Sequence, residues 1–334
     1  MVHPRPVTAS REALYGYLTG RGAAEEKLPP LVRAYEAFKK DLAGAVPDVP
    51  FQLLTSLKLE KRHWVSIAER APWQMTRMNL NTFARHGVFE EAPRLAGVVA
   101  DRLRDPQAIA RARAFPYQLL AAYLTADGGV PAVVRESLQD AMERAIENVP
   151  PVAGQVYVCC DVSGSMHSPV TGRRKGATTA VRCVDVAALT AAAFLRKNPS
   201  AEVLPFEGCV VDLRLNPRDS VMTNAARLAA IGGGGTNCSA PLARLNERRA
   251  TGDLVVYVSD NASWVDAGGG RGTAMLREWS RFKDRCPAAR LVCIDVQPCG
   301  TTQAVERSDI LNIGGFSDAV FQVESGPFEV SPGS

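Results

Sequence analysis

No stretch of this 334-residue chain approaches the roughly 20 consecutive apolar residues of a membrane span. Met1 to Leu18 lacks the apolar core of a secretory signal, so the expectation is a cytoplasmic protein with no membrane partner. There is no Cys-x-x-Cys, and the four histidines form no ligand-spaced pair, which argues against zinc. No Gly-x-Gly-x-x-Gly follows the first apolar run of the second half, which argues against a dinucleotide cofactor. Low-complexity tracts are missing too, and the composition, 46% apolar and 22% charged, is that of a globular protein.

What the chain does contain is more specific. Of its eight cysteines, Cys159 and Cys160 lie in one apolar run, Cys293 in another, and Cys183 in a helical pattern. That placement reads as buried, reduced thiols of a reducing compartment. Net charge is only +4, but it is unevenly spread. Residues 55–115 hold eleven Lys or Arg against six Asp or Glu, together with His63 and His86, whereas 116–150 hold two against five. A local basic stretch on a nearly neutral chain points to a directed anionic contact, although a solvated helix face would look the same.

The chain divides near Val149-Pro150-Pro151 into an N-terminal segment, 1–150, and a C-terminal domain, 151–334. The first part shows only helical patterning, with helices expected at 30–44, 50–57, 61–69, 72–86, 92–103, 107–113, 116–126 and 131–147. Short helices joined by brief turns suggest stacked pairs of the HEAT type. The first thirty residues carry few signals and are expected to be poorly ordered. After Pro151, strands at 155–160, 202–206, 209–213, 254–259, 290–296 and 319–323 alternate with helices at 178–197, 219–230, 239–249, 273–285 and 302–310. This is the pattern of a Rossmann-like, doubly wound, mostly parallel sheet. A hairpin-like pair around Glu207-Gly208 suggests one antiparallel edge strand. The fold class is thus α followed by α/β.

The apolar run Val156 to Cys160 ends in Asp161-Val162-Ser163-Gly164-Ser165-Met166, which puts one carboxylate and two hydroxyls on a single loop. Gly232 to Gly235 then lead into Thr236-Asn237, and the run Leu254 to Val258 ends in Ser259-Asp260-Asn261. Hard oxygen donors of this kind suit Mg²⁺. Asp161 could instead cap a helix and the glycines form a plain turn, but that leaves unexplained why two apolar strands both stop on Asp. The three segments resemble the metal-ion-dependent adhesion site of a von Willebrand factor A domain. Carried over, the resemblance makes Asp161, Ser163, Ser165, Thr236 and Asp260 the shell of a divalent metal, most plausibly Mg²⁺. Asn237 stands where the family places an acid.

The helical half narrows the field. Phe51-Gln52-Leu53-Leu54-Thr55, Trp64, Pro72, Asn79-Leu80 and Phe115-Pro116-Tyr117-Gln118-Leu119-Leu120-Ala121 join the A-domain motifs in resembling the TROVE-domain family of Ro autoantigen-like ring proteins. The likeness runs from about residue 50 to the end. It implies a non-catalytic RNA-binding scaffold for small non-coding RNA of the Y type or misfolded RNA. In that family, single-stranded 3′ ends enter a ring of helical repeats, for RNA quality control or processing that can involve an exonuclease. Basic side chains along such a channel attract phosphates. The residues assigned to RNA are Lys58, Lys61, Arg62, His63, Arg77, Arg85, His86, Arg111 and Arg113, with Arg173, Arg174 and Lys175 after the metal motif. Family members carry a longer helical region, so further copies of the chain or a second protein could complete a ring, or the crescent could stay open. The alternative function is a metal-dependent adaptor that captures a partner protein's carboxylate. Enzymatic activity is not expected, because a shell rich in hydroxyls with two carboxylates lacks an evident base.

Overall fold

The computed structural model describes residues 7–170, 181–260, 273–297 and 307–316. These form two compact units, residues up to 72 with 81–99, and residues 73–80 with 100 onward. In chain order the first helices are α1 (Ala9–Leu18), α2 (Pro30–Lys40), α3 (Phe51–Leu54), α4 (Lys61–Arg70), α5 (Trp73–Met78) and α6 (Leu80–Arg85). They are followed by α7 (Val88–Glu91), α8 (Leu95–Leu103), α9 (Pro106–Arg111), α10 (Pro116–Thr125) and α11 (Ala132–Ala145). Part of the first thirty residues is helical, contrary to expectation: Thr8 caps α1 by accepting from the Arg11 N–H at 3.2 Å. The single helix expected over 72–86 is two, because the Asn79 N–H turns to the Thr76 carbonyl and its side chain to that of Met75.

In the first unit α4 shows how sequence makes the packing. His63, Trp64, Ile67 and Ala68 fall on one face and are buried, while Lys61 and Arg62 stay outside. His63 sits at the third position of the helix, where its Nδ1 accepts the Glu60 N–H at 2.9 Å and its Nε2 donates to the Leu42 carbonyl at 2.8 Å. Trp64 meets the edge of Phe51 and stacks flat on His86, with ring centroids 4.1 Å apart and planes 8° from parallel.

The second unit holds a parallel five-stranded sheet: β1 (Val156–Asp161), β2 (Glu202–Phe206), β3 (Leu254–Ser259), β4 (Arg290–Asp295) and β5 (Ile310–Gly314), in the order β2-β1-β3-β4-β5. Both faces are covered, which is why β1 and β3 read as unbroken apolar runs. On one face Tyr157, Cys159, Val255, Tyr257, Leu291 and Cys293 pack with α14 (Ala240–Glu247) and α15 (Thr273–Arg285). Toward the other lies α12 (Cys183–Lys197), a largely buried helix that touches β1 and β3 and packs along α13 (Val221–Ala229).

α9 to α11 group with this sheet unit rather than with the earlier helices, so the compact units do not divide at residue 150. The physical links are specific. Glu143 accepts from the Val221 N–H at the start of α13 at 2.5 Å, and Lys197 at the end of α12 donates to Glu147 at 3.4 Å. Two further expectations are corrected. The strand at 209–213, and with it the antiparallel edge strand, is reduced to one bridge between Phe206 and Val210. The helix expected to end at residue 310 gives way there to β5, which pairs with β4. The strand at 319–323 lies outside the described residues. None of the described helices is long and apolar enough to cross a membrane.

Phe282 is fully buried between Tyr157 and Trp279. Phe282→Ala is expected to cost about 3–5 kcal/mol of stability, read as a lower midpoint in denaturant with an unchanged slope.

Candidate functional site

In the order β2-β1-β3-β4-β5 the chain leaves β1 toward one edge of the sheet and β3 toward the other. Their carboxyl ends therefore flank the switch point, where no crossover helix closes the crevice. Asp161 ends β1 there, and Ser259-Asp260 ends β3 beside it. The Asp161 carboxylate is fully buried; one oxygen accepts the Ser163 N–H at 2.9 Å and the other the Ser259 hydroxyl at 2.6 Å. Burial pushes its pKa up from 3.8 to about 6, against the pull of these hydrogen bonds, and the nearby Asp260 carboxylate pushes the same way. Burial, with Asp260 beside it, likewise raises Cys183 to about 12, so this thiol adds no charge.

The hydroxyls converge next to it. Thr236 Oγ1 donates to Ser163 Oγ at 2.8 Å, and Ser163 Oγ lies 3.3 Å from Ser165 Oγ. Ser163 and Thr236 are buried. One backbone contact joins the two loops and another ties the first to the sheet: the Gly164 N–H donates to the Gly234 carbonyl at 3.1 Å, and the Val162 N–H to that of Phe206 in β2 at 2.9 Å. Oxygen separations near 3 Å match the roughly 2.9 Å edge of an octahedron built on Mg–O bonds of about 2.1 Å. The spacing of the Ser163, Ser165 and Thr236 hydroxyls, with the carboxylate chemistry of Asp161 on the same loop, thus fits a hard divalent cation. Asn237 is taken up locally: its Oδ1 accepts from the N–H and hydroxyl of Ser239, just before α14.

Residues 155–325 match the family described as the Ro60 vWA domain. The chain belongs to that family. It is also similar to the RNA-binding protein RO60 of Deinococcus radiodurans, with 28% identity over 254 residues, or 72% of this chain and 46% of that protein. The chain spans about half the length of this curated relative. The crystal structure of the Deinococcus radiodurans Ro (RSR) protein superposes with a TM-score of 0.71 at 22% identity, covering 96% of this chain and 68% of that one. It shows the shared fold: a helical N-terminal region followed by the parallel sheet of the Ro60 vWA family.

The residues assigned to RNA separate by environment. Lys58, Lys61, Arg62 and Arg85 are exposed in the first unit, and Arg111 and Arg113 in the second. The exposed pairs Lys61–Glu90 at 3.6 Å and Arg62–Glu60 at 2.9 Å hold these cations only weakly. His63 is buried with both ring nitrogens engaged, so it supports α4 instead of offering a surface. His86 is half-buried on Trp64, and desolvation, helped by Arg85, lowers its pKa and keeps it neutral. Arg77 is half-buried in the second unit, donating to the Gln118 carbonyl at 2.9 Å and lying over the Trp73 ring. Arg173, Arg174 and Lys175 lie outside the described residues. His167, next to the Ser163–Ser165 loop, is placed by Arg182, whose guanidinium bridges it at 3.1 Å to Asp185.

Sequence reasoning missed two residues of this Ro60 vWA site. Ser259 was legible only as a strand end, yet it is the hydroxyl that holds Asp161. Glu207, just after β2, accepts the Gly234 N–H at 2.6 Å, a contact across 27 residues that leaves no local pattern.

In metal-free protein the raised Asp161 gives an unusual sign. Its stabilising contribution is complete below about pH 3.8 and is lost as pH rises through about 6. Asp161→Asn keeps the acceptor for Ser163 and removes the buried charge. In EDTA at pH 7.5 it is expected to raise stability, by up to about 3 kcal/mol. The gain should vanish toward pH 4 in parallel denaturation curves.

Proposed function

We propose that this chain is an RNA-binding scaffold of the Ro type. It takes small non-coding or misfolded RNAs by single-stranded 3′ ends, for quality control or processing, and it has no catalysis of its own. The observation that carries this reading is a Ro60-family sheet domain preceded by helices whose exposed side chains include Lys58, Lys61, Arg62 and Arg85. The similarity to a protein named as RNA-binding supports it. Unpaired strands suit such a surface, because phosphates meet the cations while bases stay free to stack. Y-type RNA, a processing exonuclease, and further copies or a second protein are the partners that follow from this reading.

The Asp161, Ser163, Ser165 and Thr236 cluster is read as a non-catalytic Mg²⁺ site, with Asp260 beside it. Bound there, the ion would offset the buried charge of Asp161 and tie the ends of β1 and β3 to the glycine loop. A second reading rests on the same donors. Neutral hydroxyls leave the ion with net positive charge, suited to capturing a partner protein's carboxylate, as an adaptor would.

An RNA hairpin with a single-stranded 3′ tail is expected to bind far more tightly than the same hairpin without it. Reversing Lys61, Arg62 and Arg85 to Glu should weaken binding at least tenfold. Three lost phosphate contacts would also flatten the slope of log K against log salt by about 2. Asp161→Asn should leave RNA affinity unchanged while abolishing any Mg²⁺-dependent rise in melting temperature, a rise that in the wild type should fade below about pH 6. Tail-independent or salt-independent binding would sink the RNA reading. Loss of RNA affinity in Asp161→Asn would merge the two sites.

A further inference from the structure

We propose that Glu207 is the positioning residue of the cation site: it is not itself a ligand, but it fixes the glycine loop so that Thr236 meets Ser163. This rests on the reading of these loops as a divalent-cation site. Glu207 follows directly on β2, so its backbone is anchored to the sheet beside β1. From there it grips the loop on both sides of Thr236. Its side-chain Oε2 accepts the Gly234 N–H at 2.6 Å, and its backbone carbonyl accepts the Asn237 N–H at 2.8 Å. Its own N–H donates to the Cys209 carbonyl at 2.9 Å, which closes the turn that holds it.

The loop that these grips hold is the least constrained part of the site by composition, since Gly232 to Gly235 impose almost no backbone preference. Four glycines in a row would let Thr236 sample many positions, and the entropy of fixing it must be offset by contacts. A carboxylate accepting a backbone N–H is roughly twice as strong as a neutral acceptor. The loop is shaped around that contact. A Cβ built on Gly234 would lie 2.7 Å from Glu207 Oε2, so a side chain at 234 would force this carboxylate to move off the loop. The Gly234 carbonyl in turn takes the Gly164 N–H at 3.1 Å. One residue, Gly234, therefore connects Glu207 to the loop of Ser163 and Ser165, and two positions further on the same loop delivers Thr236 Oγ1 to Ser163 Oγ at 2.8 Å.

The test uses the full chain, with Mn²⁺ as the probe. Mn²⁺ affinity is measured by titration calorimetry, and amide exchange over 232–238 is followed separately in EDTA. Glu207→Gln keeps an oxygen acceptor without charge and should stay within about fivefold of wild type. Glu207→Ala should weaken Mn²⁺ binding about tenfold or more and speed exchange across the loop. Gly234→Ala, which displaces the carboxylate, should copy it. If Glu207→Gln is as damaging as Glu207→Ala, the charge itself serves the ion and the positioning role is wrong. If Glu207→Ala changes neither exchange nor affinity, Glu207 does not hold the loop. A wild type that fails to bind Mn²⁺ would overturn the cation reading alone, since exchange in EDTA still decides whether Glu207 fixes Thr236.

Discussion

The second unit is organised around one buried carboxylate. Asp161 sits at the end of a central strand, out of water, with another acid nearby and only neutral groups as hydrogen-bond partners. A charge in that setting is costly, and its cost is offset only in part by the Ser163 N–H and the Ser259 hydroxyl. Those two partners explain much of the surrounding layout. The first requires the chain to turn at once after β1, and the second requires β3 to run parallel beside it and end at the same level. The hydroxyls of Ser163, Ser165 and Thr236 are brought together by this arrangement, so the hydroxyl cluster and the alignment of the β1 and β3 ends are two aspects of one packing problem.

The helices from α9 to α11 take part in the same body. Glu143 completes the first turn of α13 from outside the A domain as the sequence motif would delimit it, and α12 packs along α13. The sheet's outer helices and α9 to α11 thus belong to one compact unit. The first unit has its own logic, with a tryptophan and two histidines as the packing centre of α4. There Arg62 stays outside because the helical period turns it away from Ile67 and Ala68, and Lys61 stays outside at the first position of the helix.

Much of this was legible in the sequence where burial is extreme. Strands covered on both faces must be apolar throughout, so Val156 to Cys160 and Leu254 to Val258 were readable, and the polar residues that end them stood out. The Ser163 and Ser165 hydroxyls followed from that pattern, whereas Thr236 came from the glycine-rich loop and the family resemblance. Edge elements were harder. Ile310 to Gly314 carries Asn312 and Gly314 and is only partly covered, so it gave no strand signal. Val210 to Leu213 has a strand's composition but lies beside β2 with a single bridge. Side chains that act on a distant backbone were invisible: neither Glu207 nor Glu143 sits in any spacing that announces its partner. His63 and Arg77 show the converse, in that a basic residue within a basic stretch can serve packing, which only burial and hydrogen bonding reveal.

The outer edge of β2 has a consequence for the chain's behaviour in crowded solution. Pro205 lacks a donor, its carbonyl is taken by the Val211 N–H, and Val210 bridges Phe206. A proline within a strand is tolerated at a sheet edge and blunts it as a template for another chain. The carboxyl-terminal half of this edge is therefore closed to strand addition by its own following segment. That half of the edge is blunted by the same turn that positions Glu207.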